Sequence, residues 1–309
     1  MAIAIICPGR DTSILRAALQ AELPGVRVVE YPYMPRPHDV EMAVMWKQPA
    51  HVTDDMPNLS LISSLGAGVD HILRDSTLPQ HIPVARIVDP GLTVDMRRYL
   101  LMAILHFHKN MPRLLHLRNE KKWTMSSGAT IPMRIGVMGL GVLGADIAQS
   151  AHQLGFDVFG YSNSPRTLDG ITCFSEEKGE LSAFLANINC LICLLPLTKQ
   201  TRGVLNRSIF EQLPQGSYLI NVGRGEHLVE ADLIWALDRG IIKGAFLDVL
   251  SKEPPGENHP FWEYTEIIMT PHIASITDQE AAARQIAENY RRMKQGATLL
   301  NDVDRQKGY

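Results

Sequence analysis

Met133-Arg-Ile-Gly-Val-Met-Gly139-Leu-Gly141-Val-Leu-Gly144 is the stretch on which the reading of the whole chain turns. Ile135 and Val137 are β-formers, and the run before the glycines is too short and too branched to favour a helix, so it reads as a strand. Beyond Gly144 the apolar spacing becomes helical through Ala145, Ile147, Ala148, Ala151 and Leu154. Gly155 closes that helix, and residues 156–161 read as the next strand. Strand, glycine turn, helix and strand within about 30 residues are the setting that Gly139-x-Gly141-x-x-Gly144 needs to act as a dinucleotide fingerprint. Gly139 allows the tight turn, Gly141 the approach of a pyrophosphate, and Gly144 the close packing of helix on strand. Leu140, Val142 and Leu143 belong to the same expected cofactor site, where the helix N-terminus offers free N–H groups and the positive end of its dipole.

Working outward, a chain of 309 residues has the length of two domains at about 150 residues each. A hydrophobic content of 45% and a charged content of 20% are those of an ordinary globular chain. The net charge of −3 provides no basic field for nucleic acid or anionic lipid. No basic n-region precedes the apolar start, and no run approaches the length of a membrane span, so a cytoplasmic protein is expected. The four cysteines, Cys7, Cys173, Cys190 and Cys193, do not make a disulfide framework. Cys190 and Cys193 sit in an apolar run that reads as a strand, where their thiols would point to opposite faces. No histidine or cysteine group reads as a metal site.

Before the fingerprint, strand candidates at 2–6, 26–30, 42–46, 59–63 and 84–88 alternate with turns and with a helix at 12–23. A long helix is expected over 93–117, with Leu100, Leu101, Ile104, Leu105 and Leu115 as its apolar stripe and Asp95, Arg97 and Arg98 as a solvated face. A polar piece, 119–130, separates it from the fingerprint strand. After residue 161, helices at 181–186, 208–213, 230–238 and 281–294 alternate with strands at 190–195, 217–221, 244–249 and 267–269. Arg291 and Arg292 read as a solvated face. Such alternation implies an α/β fold of two Rossmann-like or flavodoxin-like parallel-sheet domains. The expected division is residues 1–91 with 275–309 for a discontinuous substrate-binding domain and 92–274 for the dinucleotide domain, with the active-site cleft between them.

Three polar residues follow predicted strands on the side where open α/β sheets bind ligands: Arg224, Glu253 and His272. An arginine holds a carboxylate bidentately and polarises the neighbouring carbonyl. A histidine donates the proton that a developing alkoxide needs, and a glutamate on its ring fixes the tautomer and favours the imidazolium. That trio suits reduction of a 2-oxo acid, with the hydride drawn from a cofactor. An NAD site usually places Asp or Glu after the second strand. Here Ser162, Asn163, Ser164, Pro165 and Arg166 stand there instead, which favours NADP(H), with NAD(H) still possible. Leu195 and Pro196, ending another strand, and Asp248 complete the expected cofactor set.

The fingerprint, Asn221-Val-Gly-Arg224-Gly225, Asp248-Val249-x-x-x-Glu253-Pro254 and Pro271-His272-Ile-Ala-Ser together resemble the D-2-hydroxyacid dehydrogenase family over nearly the whole chain. Met45-Trp46, Leu65-Gly66-Ala67-Gly68-Val69-Asp70, residues 181–185 and the ending 303–309 are similar to its bacterial glyoxylate/hydroxypyruvate reductase A branch. The resemblance implies Arg224, Glu253 and His272 as the catalytic trio, with His272 the general acid. It implies that the Ala67 and Gly68 N–H groups hold the substrate carboxylate opposite Arg224, and that the protein is a homodimer. Trp46 beside the Leu65–Gly68 turn would limit the substrate to small 2-oxo acids. One departure is that the branch usually has arginine directly after the serine at 162, where this chain has Asn163. An NAD-dependent dehydrogenase of the D-lactate or phosphoglycerate type, and a dinucleotide-sensing corepressor or scaffold on the same fold, are the alternatives.

Overall fold

The computed structural model describes residues 1–124, 130–305, 307 and 308. The chain divides into one unit of Met1–Leu92 with Ile276–Tyr309 and another of Thr93–Ser275.

In the first unit, β1 (Ala2–Ile6), α1 (Ser13–Glu22), β2 (Arg27–Glu30), β3 (Val40–Met45), β4 (Leu61–Ser64), α2 (Asp70–Leu73) and β5 (Val84–Ala85) follow one another. The strands form one parallel sheet in the order β2-β1-β3-β4-β5. All of β1 is buried, because both faces of the sheet are covered, as a parallel sheet requires. Strand alternation sends Ile3 and Ile5 into one core and Ala2, Ala4 and Ile6 into the other. The last helix, α9 (Gln279–Gln295), belongs to this unit and packs Ala282, Ala283, Ile286 and Ala287 into the same core as Leu15 and Leu19 of α1. Asp278 caps its start by accepting the Ala281 N–H at 2.8 Å, which satisfies one of the helix's orphan donors.

The second unit contains α3 (Pro90–His108, from Thr93 on), α4 (Met111–Asn119), β6 (Arg134–Met138), α5 (Val142–Gln153), β7 (Asp157–Ser162), β8 (Thr172–Ser175), α6 (Leu181–Ala186), β9 (Cys190–Cys193), α7 (Arg207–Phe210), β10 (Ser217–Asn221), α8 (Glu230–Asp238), β11 (Ile242–Leu247) and β12 (Ile267–Met269). Its parallel sheet runs β12-β11-β10-β9-β6-β7-β8. Cys190 faces one core of this sheet and Cys193 the other, and neither is bridged. Among the described residues no helix is long and apolar enough to cross a membrane.

Several expectations need correction. The helix over 93–117 is two helices, broken where Asn110 adopts φ 51°. Pro112 explains the break, since it has no N–H to give and its ring collides with the carbonyl four residues earlier. That carbonyl, on His108, instead accepts the Ile131 N–H at 2.8 Å. Leu100 and Ile104 are buried as expected, but the break leaves Leu105 and Leu115 exposed. Arg97 does not simply face solvent: it grips Asp146 through Nε at 2.7 Å and Nη2 at 2.5 Å. Arg291 reaches Glu22 of α1 at 3.1 Å and so ties two elements together, whereas Arg292 pairs with Glu288 at 2.8 Å within α9. Strand β8 was not anticipated, because Thr-Cys-Phe-Ser is a short, partly polar edge strand with a weak pattern. Of the separating piece 119–130, residues 125–129 lie outside the described residues, as do Gln306 and Tyr309 of the ending 303–309.

Candidate active site

The order of the seven strands reverses between β6 and β9, and the crevice outside the carboxyl ends at such a switch is where open sheets bind ligands. The fingerprint turn leaves β6 at this point. Gly139 takes φ 101°, and a Cβ on Gly144 would lie 1.8 Å from the Gly139 carbonyl oxygen, so α5 can start this close to β6 only with glycine there. A Cβ on Gly141 would meet nothing within 4 Å, which leaves open space in front of the helix N-terminus. The first N–H groups of α5 have no carbonyl a turn earlier to bond, so that space is lined by donors.

Ser162 ends β7, the strand beside β6. Its hydroxyl donates to the Ser164 carbonyl at 2.7 Å, and the Asn163 carbonyl accepts the Glu177 N–H at 3.1 Å. Arg166 is exposed and meets no carboxylate among the described residues. The nearby Glu176 is committed to the Tyr161 hydroxyl. On the other side of β6, Leu195 and Pro196 follow β9. The Pro196 carbonyl accepts from the Thr201 hydroxyl at 2.7 Å.

Arg224 leaves β10 in a turn shaped by Asn221, whose side chain accepts the Gly223 N–H at 3.2 Å and donates to the Arg224 carbonyl at 3.1 Å. A Cβ on Gly225 would lie 1.9 Å from the Leu250 carbonyl carbon, so this turn packs directly on the segment that leads to Glu253. His227, fully buried, was not singled out from the sequence. Its Nδ1 accepts the Arg224 N–H at 3.0 Å, so the ring proton sits on Nε2, which faces the Pro196 carbonyl at 3.3 Å. The clue was its place three residues after Arg224, close enough to fold back over a turn.

Glu253 and His272 are brought together. His272 Nδ1 donates to Glu253 Oε2 at 2.9 Å, and Oε1 accepts the Leu250 N–H at 3.2 Å. With Nδ1 engaged by a carboxylate, Nε2 is left as the atom that exchanges a proton. Asp248, expected among the cofactor contacts, has its side chain engaged within the protein. It is buried, and its carboxylate accepts from the Thr270 hydroxyl at 2.6 Å, the Ile273 N–H at 2.8 Å and the Ala274 N–H at 2.8 Å. Its side chain is therefore spent on the loop that carries His272.

Trp46 and the 65–68 turn lie in the first unit, at the carboxyl ends of β3 and β4. Trp46 is half-buried, and its ring edge would be 3.0 Å from a Cβ on Gly66. The Leu65 N–H donates to Met45 and the Gly66 N–H to Ser64 Oγ, whereas the Ala67 and Gly68 N–H groups find no acceptor among the described residues. His71 sits in α2 with its ring 4.8 Å from that of Trp46.

A family model described as D-isomer specific 2-hydroxyacid dehydrogenase, NAD binding domain, matches residues 101–274. The chain belongs to the D-isomer specific 2-hydroxyacid dehydrogenase family. As a member it is an oxidoreductase. It is 36% identical to the glyoxylate/hydroxypyruvate reductase A of Photorhabdus laumondii across 100% of both chains. With the enzyme of the same name from Serratia proteamaculans it shares 37% identity over 95% of each chain. Among solved structures, a D-isomer specific 2-hydroxyacid dehydrogenase from Xanthobacter autotrophicus in complex with NADPH and MES has a TM-score of 0.93 at 36% identity, covering 100% of this chain and 99% of that one. The NADPH-dependent glyoxylate/hydroxypyruvate reductase from Sinorhizobium meliloti, in complex with NADP and sulfate, has a TM-score of 0.91 at 32% identity and the same coverage.

Proposed function

We propose that this family member is an NADPH-preferring reductase of small 2-oxo acids, with glyoxylate and hydroxypyruvate first. The observation that carries the reading is the 2.9 Å bond between His272 Nδ1 and Glu253 Oε2 on the sheet edge that also bears Arg224. Arg224 holds the substrate carboxylate and polarises the carbonyl. His272 delivers the Nε2 proton to the carbonyl oxygen as it becomes an alkoxide, and Glu253 holds the ring and stabilises its charged form. In the first unit, the Ala67 and Gly68 N–H groups offer donors to a carboxylate, and Trp46 beside them limits the size of the group a substrate can carry. His227 acts through the Arg224 turn rather than on substrate.

The residues at the glycine turn fit a dinucleotide: donors at the start of α5, open space at Gly141, and a close helix made possible by Gly144. Gly139 to Gly144, with Leu195 and Pro196, would hold it. Ser162, Asn163, Ser164 and Arg166 would receive a 2′-phosphate, since none of them repels one and one attracts it. When bound, NADPH supplies the reducing hydride.

The same reading takes the protein as a cytoplasmic homodimer. Its unbridged cysteines agree with a reducing compartment. Met102, Leu105, Leu114, Leu115 and the fully exposed Trp123 give the second unit an apolar surface that a second copy would cover. The test is the loss of NADPH absorbance with a panel of 2-oxo acids, each run with NADPH and with NADH. Light scattering on the eluting peak gives the mass. Failure to oxidise either cofactor with any 2-oxo acid would leave the corepressor reading in its place.

A further inference from the structure

The five-stranded sheet has a switch of its own. Its first strand connects to β2 on one side, and β3, β4 and β5 follow on the other, so the crevice outside the carboxyl ends opens between β1 and β3. Arg10 follows β1 and Trp46 follows β3. The Arg10 guanidinium carbon lies 4.1 Å from the Trp46 ring centroid, a cation stacked on an indole. The edge of the same indole lies against Gly66, at the start of the turn whose Ala67 and Gly68 N–H groups have no acceptor among the described residues.

Arg10 is also short of a counter-charge. In this unit Arg16 meets Glu30, Arg27 meets Asp39, Arg74 meets Asp70 and Arg291 meets Glu22. Arg10 meets no carboxylate among the described residues. Asp11, next in the chain, accepts the Ser13 N–H at 2.9 Å, and Glu30 at the end of β2 is taken by the Thr12 hydroxyl at 2.7 Å and by Arg16 at 3.0 Å. Arg10 keeps exposed surface, and the face of its guanidinium that lies on the indole is desolvated, which lowers its pKa. One crevice therefore holds two unused N–H donors at one side of an indole and an unpaired guanidinium over its face.

We propose that Arg10 is a specificity-determining residue that receives a second anionic group. Among four-carbon 2-oxo acids, the preferred class is then the 2-oxo dicarboxylates. The first carboxylate sits on the 67–68 N–H groups beside the indole edge, and the second on Arg10 over its face. An alkyl or aryl group in that position would cover the guanidinium without pairing it, which disfavours such substrates. This rests on the reductase reading above and names a substrate class for the same site.

The test compares kcat/KM for oxaloacetate, 2-oxobutanoate and glyoxylate with NADPH, in the wild type and in Arg10→Met and Arg10→Lys. The wild type should favour oxaloacetate over the neutral four-carbon acid by about tenfold to a hundredfold, the range expected of a charge-assisted bond. Arg10→Met should collapse that ratio, mainly through KM for oxaloacetate, with a far smaller change for glyoxylate and 2-oxobutanoate. Arg10→Lys should keep part of the preference, because the charge remains but the planar fork is lost. A wild-type ratio below about twofold, a ratio unchanged in Arg10→Met, or an equal loss on all three acids in both variants would overturn the proposal. Reduction of none of the three by the wild type would instead overturn the reductase reading, so the two failures are distinct.

Discussion

Replacing Glu253 separates charge from orientation at the proposed acid. The wild-type bond to His272 is 2.9 Å, with the two side chains 25% and 30% exposed, so solvent screens it only in part. A hydrogen bond to a charged group contributes about 1.5–3 kcal/mol and a neutral one about 0.5–1.5 kcal/mol. Glu253→Gln keeps an acceptor near Nδ1 but removes the charge, a loss of about 1–1.5 kcal/mol, or about five- to twelvefold in rate. Glu253→Ala removes the whole bond, and should lower the rate by about ten- to a hundredfold. The loss falls on the proton-delivering group, so it should appear in reductive kcat/KM for glyoxylate while NADPH affinity, read by fluorescence quenching, stays put. A larger loss in Glu253→Ala than in Glu253→Gln would separate the bond from its charge, and a Glu253→Gln variant within twofold of wild type would refute the reasoning.

Other outcomes follow from the same geometry. His272→Asn should lose about 10²–10⁴ in the reductive rate, the usual contribution of a general acid, and near-wild-type turnover would remove His272 from that role. Arg166→Ala should weaken NADPH and leave NADH alone, narrowing the preference in kcat/KM; a wild type that uses both cofactors equally would contradict the assignment. Trp46→Ala should raise activity on phenylpyruvate relative to glyoxylate, and no change in that ratio would mean the indole is not a size limit. Burial pushes the Cys7, Cys190 and Cys193 thiols up to about 12. In the native protein a thiol reagent at mildly alkaline pH should therefore titrate Cys173 at most, with all four cysteines of the sequence reacting after denaturation.

A local requirement is legible in the chain wherever it dictates residue type. The glycine turn is such a case: the geometry that leaves 1.8 Å between a Gly144 Cβ and a carbonyl oxygen forbids any other residue there. The break at Asn110 was equally local, since Pro112 announces it, and only the continuous leucines on either side disguised it. Arg224, Glu253 and His272 stand out in the sequence because each follows a strand and each is the kind of residue the proposed reaction needs. The bonds of Asp248 to Thr270, Ile273 and Ala274 were not legible, because nothing near it in sequence points to them. His227 and Arg10 were missed for the same reason. A buried imidazole between two loops and a guanidinium on an indole exist only once β1, β3, β9 and β10 stand in order.

The spacing of the motifs around β11 and β12 has a physical explanation in His272 itself. This residue adopts φ 57°, a region that costs a side-chain-bearing residue of the order of 1–3 kcal/mol unless its surroundings over-determine it. Here they do. Its own N–H donates to the Asp248 carbonyl at 2.9 Å, and the next two N–H groups both end on the Asp248 carboxylate. The Thr270 hydroxyl, on the near side, donates to that carboxylate and is bonded in turn to the Tyr99 hydroxyl. Three charge-assisted bonds to one buried group outweigh the strain of a single residue. The backbone of the proposed acid is thus held by Asp248, and its ring by Glu253. Both carboxylates come from the stretch just after β11, so a single strand end sets the loop's conformation and the imidazole's orientation together. That is why Asp248-Val249-x-x-x-Glu253 and Pro271-His272-Ile273-Ala274 form one device although more than a dozen residues separate them in the chain. It is also why the carboxylate that holds the loop is as necessary to the site as the one that supports the acid directly.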